Sequence, residues 1–204
     1  MSRKIRISVM VSGGGTNLQA LIDSIEKGSQ TDTEIVLVLS SRDDAYALER
    51  ADKAGIKTAV VSKKDYPDDT AFNEKLIKTL ENAKTDLIVL AGYMSILPPE
   101  VIKKYPNRII NIHPSLIPKH CGKGFYGLRV HKSVIEAGDK VSGATVHFVD
   151  EGVDTGEILL QREVPVKEGD DENTLAARVL EVEHIILPEA VRLFCENYFP
   201  AFFS

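Results

Sequence analysis

Short runs of Val, Ile and Leu alternate along this chain with longer stretches in which apolar residues recur every three or four positions. "IRISVMV" (5–11) reads as a buried strand. The stretch 17–28 follows, with Leu18, Leu21, Ile22 and Ile25 at helical spacing. The same rhythm predicts strands at 34–40, 57–62, 86–92 and 108–113. Helices at 45–55 and 70–83 separate them, the second with Phe72, Leu76, Ile77 and Leu80 on one face. A short helix in "PPEVIKKY", with proline in its first turn, joins the last two strands. Near-continuous apolar strands separated by helices predict a parallel sheet covered on both faces. After about residue 140 the texture changes. Segments 142–150 and 156–166 alternate apolar and polar positions, which predicts an antiparallel addition. Residues 172–197 predict a long C-terminal helix, kinked or broken at Pro188.

A length of 204 residues, 43% hydrophobic and 27% charged, suits one domain with a sizeable core. The expected fold class is α/β: a Rossmann-like, mostly parallel sheet with helices on both faces and an antiparallel C-terminal addition. No repeat or linker divides residues 1–204, and the two halves meet near residue 110. The net charge of −5, with scattered basic residues, makes no case for nucleic acid or membrane partners. No apolar run reaches the length of a membrane span, and the N-terminal stretch lacks the long apolar region of a signal peptide. The short tail "YFPAFF" is expected to pack on the body or on a neighbouring subunit. Cys121 and Cys195 lie far apart with no CxxC pattern, so neither a zinc site nor a redox pair is suggested. A cytoplasmic, reducing location follows as an expectation.

Open sheets of this kind bind ligands beyond the carboxyl ends of their strands. The first such end is "SGGGTN" (12–17). Gly13, Gly14 and Gly15 would let the backbone approach a ligand, and a helix starting near Thr16 and Asn17 would offer free N–H groups to a phosphate. A tight turn with a Thr or Asn cap is the plainer alternative. The sequence is neither a P-loop nor a good dinucleotide fingerprint, since Leu18 replaces the third small residue. The fourth strand ends in "AGYMSILPP", where Met94, Ile96 and Leu97 would either line a pocket for a flat ring or belong to the core. The fifth ends in "NIHPSL". Residues two apart on a strand share a face, so Asn111 and His113 project together, and Pro114 stops the strand at the sheet's rim. Last comes "VDEGVDTGEI", with Asp150, Glu151 and Asp154 in one turn. A carboxylate beside His113 would hold it charged. Without a GxSxG elbow, the set Asn–His–Asp suits acyl transfer in which the substrate brings its own nucleophile. An amide and an imidazolium would stabilise an oxyanion while a carboxylate moves protons. The glycine-rich loop 118–130 is the candidate mobile element.

Taken in order, "SGGGTNLQALID", "LAGYMSIL", "NIHPSLIPK", "SGATVHFVDEGVDTGEILLQ" and "EVEHIILPEAV" resemble the phosphoribosylglycinamide formyltransferase family of purine synthesis, from about Ile5 to Asn197. The resemblance implies transfer of a formyl group from the cosubstrate 10-formyltetrahydrofolate to glycinamide ribonucleotide, without a metal. It assigns oxyanion stabilisation to Asn111 and His113, and orientation of His113 with water-mediated proton transfer to Asp154. Gly13, Gly14, Gly15, Thr16 and Asn17 would hold the phosphate of the ribonucleotide, and Glu183 its ribose. Met94, Ser95, Ile96, Leu97 and Asn111, with the loop Asp150, Glu151, Gly152, Val153 and Asp154, would receive the folate. Thr145, His147 and His131 match supporting positions. The N-terminal half would then bind phosphate and the C-terminal half folate, in a monomer or homodimer. Ser95 and Asp69 stand where relatives often carry Arg, so Lys63 or Lys64 would meet the folate glutamate tail. Two sister activities, formyltetrahydrofolate hydrolysis and formylation of methionyl-tRNA, go with an extra N-terminal domain or with a C-terminal domain and a basic surface. The first strand at Ile5, the end at Ser204 and the negative charge favour neither. A non-catalytic nucleotide-binding module and a metallohydrolase are the readings from other classes. The poor glycine fingerprint and the absence of metal-ligand spacing among His113, His131, His147 and Asp154 disfavour them.

Overall fold

A computed structural model describes residues 4–28 and 32–198. Strand β1 (Ile5–Val11) lies in the middle of the sheet, flanked in parallel by β2 (Thr33–Ser40) and β4 (Leu87–Leu90). Both of its faces are covered, so Ile7, Val9, Met10 and Val11 are all fully buried. The alternation hidden in this apolar run survives in the packing. Ile7, Val9 and Val11 join the core on one face, and Met10 joins the core on the other. The sheet continues as β3 (Thr58–Val60) beyond β2 and as β5 (Ile109–His113) beyond β4. Strands β6 (Val141–Phe148) and β7 (Ile158–Pro165) then pair antiparallel, completing the order β3-β2-β1-β4-β5-β6-β7. The expected α/β class and antiparallel addition are both present. The strand order reverses between β1 and β4, which opens a crevice above their carboxyl ends.

Helices α1 (Thr16–Glu26), α2 (Tyr46–Lys53) and α6 (Glu172–Asn197) contribute Leu18, Leu21, Ala47, Leu187 and Phe194 to one core. Helices α3 (Asp69–Asn82) and α4 (Pro99–Lys104) contribute Phe72, Leu76, Leu80 and Val101 to the other. Helix α6 runs through Pro188 without a break, so of the two expected effects of that proline the interruption does not occur. Ile186 and Leu187 before the proline, and Ala190, Val191 and Phe194 after it, are all fully buried. Burial of each large side chain is worth about 1.5–3 kcal/mol, which outweighs the roughly 3 kcal/mol cost of an interior proline. Asp171 closes a capping box with Thr174 at the start of α6. Helix α5 (Leu128–Glu136) has no counterpart among the elements predicted from the sequence, and its first residues fall within the glycine-rich loop. Of the apolar tail, only Tyr198 falls within the described residues. Its ring stacks on Phe194 at 6.0 Å and meets Phe148 edge-on at 5.1 Å.

Candidate active site

A cavity of about 620 Å³ opens at the carboxyl ends of β4 and β5. Asn111, His113, His147 and Asp154 line it, together with Asn17 and Glu183 from the opposite side. Met94, Ser95, Ile96, Leu97, His131 and the turn Asp150–Asp154 complete the predicted residues found in its wall. Gly13, Gly14, Gly15, Thr16 and Thr145 lie outside the lining. Lys63 and Lys64 are also outside it, and Lys63 Nζ sits 2.9 Å from Asp69. The loop residues Gly122–Leu128 and Tyr93 line the cavity too, and reading the strand ends alone does not find them.

Strand register puts the polar groups together. Asn111 is the cross-strand partner of His147, and His113 that of Thr145. Asn111 Nδ2 lies 3.1 Å from His147 Nε2. His147 Nδ1 lies 2.8 Å from the Phe148 carbonyl, which can only accept. With Nδ1–H on that carbonyl, Nε2 accepts from the Asn111 amide. That fixes the amide orientation and leaves its second N–H for the cavity. Thr145, fully buried, holds the chain beyond Pro114. Its hydroxyl donates to the Ser115 carbonyl at 2.6 Å and accepts from Ile117 N–H at 3.2 Å and Gln161 Nε2 at 2.8 Å.

His113 Nε2 lies 3.0 Å from the carbonyl of His120, and Nδ1 lies 3.6 Å from Asp154 Oδ2. Asp154 Oδ1 is 3.6 Å from His147 Nε2. Both are ion-pair distances rather than direct hydrogen bonds. Asp154 adopts a left-handed backbone, φ 58°, and its Oδ2 accepts from Gly122 N–H at 2.9 Å. Burial raises the pKa of Asp154, but His147, His113 and the Gly122 amide outweigh it and hold the carboxyl below its ordinary range. The expectation that a neighbouring carboxylate keeps His113 charged is not met. Burial dominates and lowers the imidazole pKa, although Asp154 and the His120 carbonyl pull it up. His131 is pushed further down, to about 4, by burial and by His113. Its Nδ1 is buried with no hydrogen-bond partner among the described residues.

On the far wall, Asn17 Nδ2 donates to Glu183 Oε2 at 2.6 Å. Burial pushes the Glu183 carboxyl up to about 7, opposed by the Asn17 hydrogen bond. Asn17 stands in the first turn of α1, whose N-cap is Gly15 rather than a Thr or Asn side chain. Gly15 has φ 71°, and a Cβ there would collide with Ala47, so steric need accounts for that glycine. Gly13 and Gly14 face open space. Met94 and Ile96 are 60% and 75% exposed, so they form a bare apolar rim, whereas Leu97 is buried in the core as well as lining the cavity. Asp150 ties the turn beneath them by accepting from Gly152 N–H at 3.0 Å and Thr155 Oγ1 at 2.6 Å. Among the described residues, no group of three or more His, Cys, Asp or Glu side chains is placed to hold a metal ion, and no helix is long and apolar enough to cross a membrane.

The formyl transferase family profile matches residues 5–191. The chain belongs to that family. It is 48% identical over 189 residues to the trifunctional purine biosynthetic protein adenosine-3 of Drosophila pseudoobscura pseudoobscura, covering 92% of this chain but 14% of that protein. It is 40% identical to the chloroplastic phosphoribosylglycinamide formyltransferase of Vigna unguiculata, covering 96% of this chain and 62% of the relative. The crystal structure of glycinamide ribonucleotide transformylase 1 from Symbiobacterium toebii superposes with a TM-score of 0.90 at 45% identity, over 97% of this chain and 90% of that one. The fold and the family agree with the sequence-based expectation.

Proposed function

We propose that this chain transfers the formyl group of 10-formyltetrahydrofolate to the amine of glycinamide ribonucleotide, in de novo purine (IMP) biosynthesis. The observation that carries this reading is the convergence of Asn111, His113 and Asp154 in one cavity, opposite Asn17 and Glu183. Kinship over nearly the whole chain with proteins named for this activity supports it.

The residues fit a folate donor. Met94, Ile96 and Val153 present exposed apolar surface for a flat ring, and the turn Asp150–Asp154 supplies backbone groups beside them. The first turn of α1 and Glu183 suit the phosphate and ribose of the acceptor. As the amine attacks the formyl carbon, negative charge grows on its oxygen, and the free N–H of Asn111 donates to that position. His113, neutral before the reaction, takes at Nδ1, through a bridging water, the proton that the attacking amine sheds as its bond to the formyl carbon forms, and Asp154 stabilises the imidazolium. As the tetrahedral intermediate collapses, the bond from the formyl carbon to N10 of the folate breaks and that proton passes to N10, giving the formylated amine and tetrahydrofolate, while Asp154, ionised at neutral pH, orients the ring and the bridging water. Thr145 and His147 hold these groups in place, and His131 contributes a neutral ring to the wall. Residues 1–204 act as one catalytic domain in the cytoplasm, monomeric or homodimeric, with the acceptor phosphate on the N-terminal half and the folate on the C-terminal half. Lys63 or Lys64 would approach the glutamate tail.

The test is to mix the protein with 10-formyltetrahydrofolate and follow folate absorbance with and without glycinamide ribonucleotide. Loss of formyl that depends on the ribonucleotide is expected. Equal loss without it would assign a hydrolase instead.

A further inference from the structure

We propose that the His120 side chain is a positioning element that sets the tautomer of His113 from outside the cavity. The link is the His120 carbonyl, 3.0 Å from His113 Nε2. A carbonyl can only accept, so His113 must carry a proton on Nε2, and its neutral ring turns the Nδ1 lone pair toward Asp154. The direction of that carbonyl depends on the backbone of His120, which is left-handed at φ 51°. Such a conformation costs a non-glycine residue free energy and persists only when its surroundings hold it.

The imidazole of His120 is what holds it. Nδ1 lies 2.8 Å from Ser133 Oγ on α5, and Nε2 lies 3.1 Å from Asp139 Oδ2 just beyond that helix. The Phe125 ring meets it edge-on at 6.3 Å. Ser115 Oγ donates to the Lys119 carbonyl at 2.7 Å, pinning the preceding residue. The set Asp139–His120–Ser133 has the composition of a hydrolytic triad, but its serine does not act as one. Ser133 Oγ donates to the Val130 carbonyl at 2.7 Å, in its own helix, and does not line the cavity. The cluster is an anchor. It joins α5 to the loop after β5 and passes that rigidity to His113 through one peptide carbonyl.

The test uses the full chain with 15N-labelled histidine and long-range 1H–15N correlation at about pH 8, where His113 is neutral. His120→Asn keeps a residue type that tolerates the left-handed region but cannot bridge Ser133 and Asp139. Asp139→Ala removes the acceptor of His120 Nε2 together with the Lys119 ion pair, and thermal melting checks that both variants fold. The wild-type spectrum should show His113 protonated on Nε2. Both variants should lose that preference, with kcat lower by about tenfold and both KM values within about twofold. Lys119→Ala removes only the exposed Lys119–Asp139 contact and should change neither tautomer nor kcat. Retention of the Nε2–H tautomer in both folded variants would overturn the proposal, as would loss of the tautomer with unchanged kcat. The kinetic half rests on the proposed formyl transfer and the tautomer half does not. A wild-type protein without transfer but with an anchored Nε2–H would therefore count against the function and not against the anchor.

Discussion

Replacing Asn111 with Ala separates catalysis from folding at this site. Asn111 Nδ2 spends one N–H on His147 Nε2, 3.1 Å away, and has the other free for the developing oxyanion. The structural loss is one neutral hydrogen bond beside a buried ring. It should cost about 1–2 kcal/mol, because the acceptor Nε2 of His147 loses the Asn111 donor. The catalytic loss should be larger. Removing one preorganised oxyanion donor costs about 10²–10³ in kcat, or about 3–4 kcal/mol of barrier. Because the donor acts on charge that exists only in the transition state, KM for the ribonucleotide should stay within about twofold. The assay is steady-state formyl transfer with each substrate varied, beside a thermal melt. A folded Asn111→Ala protein with near-normal kcat would refute the role given to this amide. A large rise in KM at constant kcat would instead make Asn111 a ground-state binder.

Thr145→Val keeps the shape but removes a hydroxyl that serves three partners, and should lower stability by about 2–4 kcal/mol in a denaturant titration. Glu183 has a folded pKa of about 7 against an ordinary value near 4.5, so the native state holds its proton more tightly than the unfolded chain. Stability should therefore fall as pH rises from about 4.5 to 7, by up to about 3 kcal/mol, and Glu183→Gln should flatten that slope in melts across the range. His131, with a folded pKa of about 4, should remain neutral down to about pH 5 by histidine NMR. Its contribution runs the other way, with stability lost as pH falls from about 6.5 to 4. Asp86→Ala strands Arg6, now held by two side-chain contacts of 3.0 Å, and should cost about 3 kcal/mol in the same titration.

The strands were legible because a sheet covered on both faces needs apolar residues at nearly every position, as in β1 and β4. Asn111 and His113 were legible as a pair because a two-residue period leaves no choice of face. Helix α5 was not, because it starts at Leu128 within a glycine-rich stretch, and Gly127 rather than a Ser, Thr or Asp cap precedes it. The ionisation of His113 was misjudged for a different reason. Sequence reveals that Asp154 is available, but whether charge attraction or burial dominates depends on how tightly the loop after Cys121 closes over both. The contact between His113 and the His120 carbonyl had no sequence signal, since any residue has a carbonyl. Gly15 was singled out for a ligand, whereas the structure gives it a packing reason, since a Cβ there would meet Ala47.

The most direct test of the central claim follows the formyl carbon itself. The protein is given 10-formyltetrahydrofolate labelled with 13C in the formyl group, together with glycinamide ribonucleotide, and the products are separated and read by mass spectrometry and 13C NMR. The label should leave the folate and appear on the amine of the ribonucleotide, at a rate that collapses in Asn111→Ala. Label released as free formate, or retained on the folate while the ribonucleotide is present, would contradict it.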